Sequence, residues 1–313
     1  MPFNIHKELN YYFAKPGTKI SLKKFPTDCH HKELSKEEAE KLLQSGLEKL
    51  EKMQDKLYAH DQFSILIVFQ AMDAAGKDST IKHVMSGLNP QGVNVTSFKV
   101  PTSTELNHDF FWRHYNALPP RGQIGIFNRS HYENVLVTRI HPELILKENL
   151  PEINKVADIK QSFWEKRYKQ INRFEKNLVE NGTIVLKFFL HLSKEEQKKR
   201  FLERIDDPTK NWKFSYADLK ERSHWDEYQK AYEEMINKTS TPEAPWFIIP
   251  ADDKWFTRAL LAAIINAQFD KMDFEYPVVT KEQKEQLMQG KAELLAESDK
   301  GAPKKKKKSK KST

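Results

Sequence analysis

The stretch Phe69–Thr80 reads FQAMDAAGKDST. It follows the apolar run FSILIV and precedes IKHVMSGL, whose apolar residues recur at helical spacing. A strand, a turn of small residues ending in Gly-Lys, and a helix form the setting of a phosphate-binding loop. There the backbone N–H groups at the helix start hold anionic oxygens. The usual pattern is G-x-x-x-x-G-K-[ST]. Gly76 and Lys77 supply the closing Gly-Lys, Ala71 stands in the first glycine's place, and Asp78 replaces the Ser/Thr that normally holds Mg²⁺. Ser79 and Thr80 come one and two places late. An ordinary turn would account for Gly76, but not for the strongly apolar strand before it and the lysine at the helix start. The candidate phosphate contacts are therefore Ala74, Ala75, Gly76, Lys77, Asp78 and Ser79, with Lys82 one turn on. Asp73 adds a difficulty, because a carboxylate repels bound phosphate unless a cation intervenes. Mg²⁺ shared between carboxylate and phosphate oxygens removes the conflict, so Asp73 is a candidate metal ligand or an orienter of the attacking group.

Outward from this loop the chain alternates strand and helix. Short apolar runs at Phe63–Gln70, Asn94–Val100, Gln123–Asn128, Thr183–Leu190 and Pro245–Ile249 read as strands. Helical patterns fall at Lys77–Leu88, Glu105–Tyr115, Ile159–Glu180, Lys194–Ile205, Glu221–Ile236 and Lys254–Lys271. The alternation predicts a three-layer α/β/α fold with a mainly parallel five-stranded sheet. Before it, Ser35 and Glu38 form a capping-box signature, and Leu42, Leu43, Leu47, Leu50, Met53 and Leu57 repeat at helical spacing. This predicts an N-terminal helical extension over 1–60, a main domain over 61–275, and a short surface helix with a disordered tail over 276–313.

Two further segments carry chemistry. IFNRSHYENVLVTRIH, Ile126–His141, begins at the carboxyl end of an expected strand, where open α/β sheets bind ligands. Arg129 can grip phosphate through two N–H groups. Asn128 stands where many nucleotide kinases have Asp, and Glu133 could restore a carboxylate nearby. A surface ion pair between Arg129 and Glu133 is the plain alternative. In Lys194–Phe214, Arg200 and Arg204 lie four residues apart on one helix face. They suit a lid that neutralises a moving phosphoryl group, or simply a solvated charged face. His131 and His141 show no activated partner from which to expect a phosphohistidine. Cys29-His30-His31 lacks a second pair at zinc-site spacing. The aromatic run Asp109–Tyr115 reads as core more readily than as a base-stacking platform.

The bulk composition narrows the class. The 313 residues carry a net charge of +8, but the terminal GAPKKKKKSKKST holds seven lysines and no acid, which leaves +1 for the rest. A near-neutral body with no RNA or DNA motif argues against nucleic acid as partner. One cysteine excludes an intrachain disulfide and fits a reducing interior. No apolar run is long enough to span a bilayer, and the N-terminus lacks a secretory pattern, so a cytoplasmic protein is expected.

Taken together, AMDAAGKDSTIKHVMSGLNPQGV (71–93), FNRSHYENVLVTR (127–139), WKFSYADLKERSHWDEYQKAYEEMI (212–236) and APWFIIPADDKWFTR (244–258) resemble the second family of polyphosphate kinases. The resemblance covers residues from about 15 to about 275. It implies a P-loop kinase-like domain with a helical lid at about 200–222. The implied activity is Mg²⁺-dependent, reversible phosphoryl transfer between inorganic polyphosphate and AMP or ADP, giving ADP and ATP, with Mn²⁺ as a substitute ion. It also implies a homodimer or homotetramer and no membrane partner. By that likeness Asp73, Lys77, Asn128, Arg129 and Glu133 are the catalytic set, Asp73 and Glu133 the metal ligands, and Arg200 and Arg204 phosphate-binding residues of the lid. NRSHYE looks like the subgroup that accepts both AMP and ADP. The physical reading agrees. Polyphosphate offers only anionic oxygens, so cations such as Lys77, Lys82, Lys99, Arg129, Arg200 and Arg204 must hold it. An ATP-dependent kinase of a nucleoside monophosphate or other small molecule is the alternative, and Ala71 and Asp78 weigh against it.

Overall fold

Every residue of SILIVFQA, Ser64–Ala71, is buried, and a strand buried on both sides needs cover on both faces. In the computed structural model, which describes residues 8–30, 34–272 and 274–300, that cover comes from helices. The strands are β1 (Phe13–Ala14), β2 (Ser64–Ala71), β3 (Val93–Ser97), β4 (Ile124–Asn128), β5 (Thr183–His191) and β6 (Trp246–Pro250). They form one sheet in the order β1-β6-β5-β2-β4-β3. All neighbours are parallel except β1 against β6, where Phe13 pairs with Phe247. The five expected strands are thus present within two or three residues of their expected ends. The sixth, β1, is two residues long, too short to show any periodicity.

The helices of two turns or more are α1 (Lys36–His60), α2 (Lys77–Val84), α3 (Gln161–Glu180), α4 (Lys194–Asp206), α5 (Tyr216–Ser223), α6 (Trp225–Thr239), α7 (Lys254–Phe269) and α8 (Lys281–Lys300). Alternate residues of β2 divide the core into two layers. Ile65, Ile67, Phe69 and Ala71 join Leu50 and Leu57 of α1 and Leu260, Leu261 and Ile264 of α7. Leu66 and Val68 join Tyr168, Ile171 and Phe174 of α3 and Tyr232, Met235 and Ile236 of α6. Each of the Leu, Ile, Val, Phe and Met side chains contributes about 1.5–3 kcal/mol by leaving water.

α1 opens with the anticipated capping box. The Glu38 N–H donates to Ser35 Oγ at 3.1 Å, and the Ser35 N–H to Glu38 Oε2 at 2.9 Å. Close approach to α7 requires Gly46, since a Cβ there would meet the Ala262 Cβ at 3.1 Å. Buried Gln54 exchanges two hydrogen bonds with the backbone of Asn89, at 2.9 and 2.7 Å, and so ties α1 to the turn before β3.

Three expected helices differ. The helix opening at Lys77 ends at Val84, not Leu88. Glu105–Tyr115 is two single turns, Ser103–Leu106 and Trp112–Tyr115. The Asp109 carboxylate accepts from the Phe111 N–H at 2.8 Å, an Asx-type bond that competes with a helix passing through. Glu221–Ile236 is broken at His224 into α5 and α6, and α5 begins earlier because Ser215 Oγ accepts from the Ala217 N–H.

The chain divides into units Met1–Glu275 and Tyr276–Thr313. In the second, α8 runs for 20 residues, longer than the short helix expected, and Thr280 Oγ1 caps its first turn. His31 and the lysine-rich tail from 301 lie outside the described residues. No helix among the described residues is long and apolar enough to cross a membrane.

Candidate active site

β2 and β4 run side by side with Phe69 opposite Asn128, so their carboxyl ends deliver two turns to one place. The first is Met72–Lys77. Gly76, at φ 94°, lies in the left-handed region that glycine tolerates, and Ala74 adopts φ 61° without that freedom. The second turn places Arg129 at φ 64°. A non-glycine residue there carries strain of order 1 kcal/mol, held only where the surroundings dictate it. Here they do. The Arg129 N–H donates to the Phe69 carbonyl at 3.3 Å, and its guanidinium turns to Asp73 Oδ1 at 3.1 Å. Lys77 Nζ donates to the Ala71 carbonyl at 2.8 Å.

The two departures from the nucleotide-kinase pattern meet each other. Asn128 Nδ2 donates to Asp78 Oδ1, and also to Ser97 Oγ at 3.3 Å. The carboxylate expected at the end of β4 stands instead at the start of α2, and the neutral polar group has moved the other way. The local charge is therefore conserved by an exchange of positions.

Arg200 corrects the sequence reading. Its side chain is 4% exposed, and all five of its N–H donors are engaged. Nη1 donates to the carbonyls of Ala74 and Ala75, both at 3.0 Å. Nη2 donates to those of Ala251 and Asp252 at 2.6 and 2.9 Å, and Nε to Glu196 at 2.9 Å. It bolts the phosphate loop to the end of β6 and has no donor left for phosphate. Helical spacing put Arg200 and Arg204 on one face, but only Arg204 reaches outward, to the Lys213 carbonyl at 3.2 Å and Asp218 at 3.7 Å. Gln197, one turn before Arg200, donates to the Asp73 carbonyl at 2.9 Å, and Arg222 in turn holds Gln197 Oε1 at 2.8 Å.

Carboxylates and cations face one another here. Burial raises the Glu133 carboxyl above the ordinary glutamate range, with Arg129 and Lys77 opposing it. Asp218, on α5, is likewise raised by burial and by Asp73. Burial lowers the Lys77 ammonium, opposed by Asp73. Burial also works against the Arg129 guanidinium, but Glu133 and Asp73 beside it hold it firmly charged. Asp218 was missed at the sequence level. It lies in a quoted motif, but nothing in the local pattern marks it as facing the loop.

A cavity of 250 Å³ opens on the far side of Arg129 and Glu133. Phe98, Leu106, Phe110, Val137 and Leu144 give it apolar walls, and Lys99 and Arg113 line it too. Of the aromatic run, Phe110 faces this cavity, while Phe111 and Tyr115 pack on Phe174. Ser79 Oγ accepts from Arg258 at 3.0 Å, and Lys82 stands exposed on α2.

His131 is fully buried, 3.2 Å from Glu175, within a network in which Lys187 Nζ donates to Glu175, the Tyr132 hydroxyl and the Thr239 carbonyl at 2.6–2.8 Å. It braces the turn after β4 from behind and is closed to any phosphate. His141 pairs with Glu221 at 3.0 Å.

The donor set suits Mg²⁺. That ion favours hard oxygen ligands, keeps several waters and takes one or two carboxylates together with substrate phosphates. Asp73 and Glu133, which both face Lys77 and Arg129, are the residues that could hold it. No group of three or more His, Cys, Asp or Glu side chains able to hold an ion occurs among the described residues, and this mode of binding needs none.

A sequence model described as Polyphosphate kinase 2 matches residues 33–277. An ADP-polyphosphate phosphotransferase of Rhodopseudomonas palustris is 48% identical over 89% of this chain and 96% of the relative. An AMP/ADP-polyphosphate phosphotransferase of Meiothermus ruber is 45% identical over 85% and 94%. The crystal structure of Polyphosphate Kinase 2 from Arthrobacter aurescens superposes with a TM-score of 0.79 at 35% identity, covering 91% of this chain and 98% of that one. The P-loop kinase-like α/β fold expected from the sequence is the fold found, with one extra edge strand.

Proposed function

The chain belongs to the Polyphosphate kinase 2 family, and we propose on that premise that it transfers phosphoryl groups between inorganic polyphosphate and AMP or ADP. The observation that carries the site-level reading is the shared wall. Arg129 and Glu133 line the 250 Å³ cavity and also face Asp73 and Lys77 of the loop. A nucleotide seated in the cavity, its base against Phe98 and Phe110, brings its terminal phosphate to Arg129. A polyphosphate end on the amides of Ala74–Ser79 brings the transferred group to Lys77.

Two anions must then approach in line. Such transfer passes through a loose transition state in which the protein mainly aligns the groups and offsets charge. Lys77, Arg129 and Arg204 supply positive charge, but Asp73, Glu133 and Asp218 already balance it. Neutralising incoming phosphates needs a further cation, and Asp73 and Glu133 would hold Mg²⁺, or Mn²⁺ in its place. The ion would supply charge neutralisation between donor and acceptor oxygens. Arg200, Gln197 and Arg222 keep the loop in shape meanwhile. Direct transfer between the two bound anions needs no covalent enzyme intermediate, and buried His131 is closed to phosphate.

We place the reaction in the cytoplasm, where nucleotide pools lie, and expect a homodimer or homotetramer, to be read by light scattering. The deciding assay mixes the chain with Mg²⁺, polyphosphate and ADP or AMP and follows ATP by luminescence. ATP that appears only with polyphosphate present supports the reading. Turnover of AMP only with a nucleotide donor would replace it with the ATP-dependent kinase.

A further inference from the structure

Helix α5 buries none of its side chains, yet it delivers Asp218 to the phosphate loop. A surface element without apolar anchoring opens readily unless polar ties hold it. Two of its residues tie it to α4. Asp218 pairs with Arg204 at 3.7 Å, and Arg222 donates to the Lys194 carbonyl and to Gln197, both at 2.8 Å. Glu221, three residues after Asp218, ties it the other way. It accepts from the Tyr228 hydroxyl of α6 at 2.7 Å, and its two oxygens meet His141 Nε2 at 3.1 and 3.0 Å. Burial pushes the Glu221 carboxyl up, but the hydrogen bonds from Tyr228 and His141 outweigh it and hold it below the ordinary glutamate range. The His141 and Glu221 side chains are 27% and 32% exposed, so either can be exchanged without opening the core.

His141 stands behind the acceptor cavity. Its N–H donates to the Val137 carbonyl at 2.8 Å, and its carbonyl accepts from the Leu144 N–H at 3.0 Å. Val137 and Leu144 both line the cavity, as does Thr138. A continuous route therefore runs from the cavity wall through His141 and Glu221 to Asp218, each link a hydrogen bond or a shared helix turn. A nucleotide packed on Val137 and Leu144 fixes His141, and a fixed His141 fixes α5. Such coupling requires only that the acceptor favour the fastened arrangement. We propose that His141 and Glu221 are positioning residues that fasten α5 to the acceptor wall, so that a bound acceptor seats Asp218 against the loop before transfer. This deepens the reading given under Proposed function and rests on it.

The test compares the full chain with His141→Gln, Glu221→Gln and the double variant, by limited trypsin digestion and by initial rates. Lys213 and Lys220, beside and on α5, are exposed and report its opening. Saturating ADP should slow cleavage there about tenfold in the wild type and little in the variants. In ATP formation from ADP and polyphosphate, kcat should fall about tenfold with both KM values near wild type, because the fastening acts once both substrates are bound. The double variant should be no worse than either single one, since the two residues share one contact. Melting temperatures should stay near wild type, because α5 buries no side chain. ADP protection that persists in the variants, or that is missing from the wild type, would overturn the fastening. So would a raised KM for ADP at unchanged kcat, which would place the pair in acceptor binding itself. Should Glu221→Gln melt early through its bond to Tyr228, His141→Gln carries the test, because it leaves that bond in place. A wild-type chain that makes no ATP would overturn the proposed function itself, and the trypsin comparison with ADP would still decide the fastening.

Discussion

Arg200→Met separates a frame residue from a substrate ligand. The substitution keeps most of the side chain's volume but removes the donor to the carbonyls of Ala74, Ala75, Ala251 and Asp252 and leaves Glu196 only Lys199, at 3.5 Å. An unmet buried polar group costs about 1–3 kcal/mol, and removing one partner of a buried ion pair about 3–5 kcal/mol. These terms overlap, so a total of about 3–5 kcal/mol is expected. At roughly 2–4 °C per kcal/mol for a domain of this size, the melting temperature should fall by roughly 6–20 °C. Below the new melting temperature the folded enzyme should still be impaired. A loop loosened by about 1 Å loses on the order of 10²-fold in kcat. The KM for polyphosphate should hardly move, because no donor of Arg200 was available to the substrate. Arg200→Lys, which keeps the charge but not the fork of donors, should fall between the two. The assay is a melting curve beside a polyphosphate titration with ADP saturating. An unchanged melting temperature with a KM raised tenfold or more would refute the frame role and restore the ligand role expected from helical spacing.

The exchange between Asp78 and Asn128 gives a reciprocal test. Asn128→Asp sets two carboxylates against each other and should lower kcat, while adding Asp78→Asn should recover much of it; a double-mutant cycle should show coupling of about 1–3 kcal/mol, and additive losses would contradict the pairing. Asp73→Asn and Lys77→Ala should each lower kcat by roughly 10³-fold or more with melting temperatures near wild type, and near-normal rates in either would remove that residue from the site. Burial lowers His191 to about 4. In the unfolded chain it takes up its proton near 6.5, so stability should be full above that pH and fall as pH drops from about 6.5 towards 4, by about 3 kcal/mol in all. His114 and His131, also buried and lowered, act in the same direction. His191→Gln should flatten that acid limb in denaturant titrations, and an unchanged slope would show that His191 does not control it.

How much was legible follows from how local each signal is. β2, β4, β5 and β6 could be read because a strand buried on both faces is a near-continuous apolar run, and the capping box of α1 because its partners lie three residues apart. β1 could not, since two residues carry no period. The loop was legible from Gly76 and Lys77 despite its departures. The pairing of Asp78 with Asn128 was not, because it joins groups 50 residues apart and each alone looks like a mismatch. Arg200 misled for the same reason. Its spacing from Arg204 is a helix property, whereas its burial is imposed by loop carbonyls more than 120 residues earlier. Asp218, Gln197 and Arg258 reach the loop from α5, α4 and α7, and only the assembled sheet brings those helices there.

The most direct test of the acidic cradle is a crystal structure of the chain soaked with polyphosphate and Mg²⁺. The account predicts phosphate oxygens on the amides around Gly76 and Lys77, with the ion bridging them to Asp73. Density for the anion elsewhere, with the neighbourhood of Gly76 empty, would contradict it.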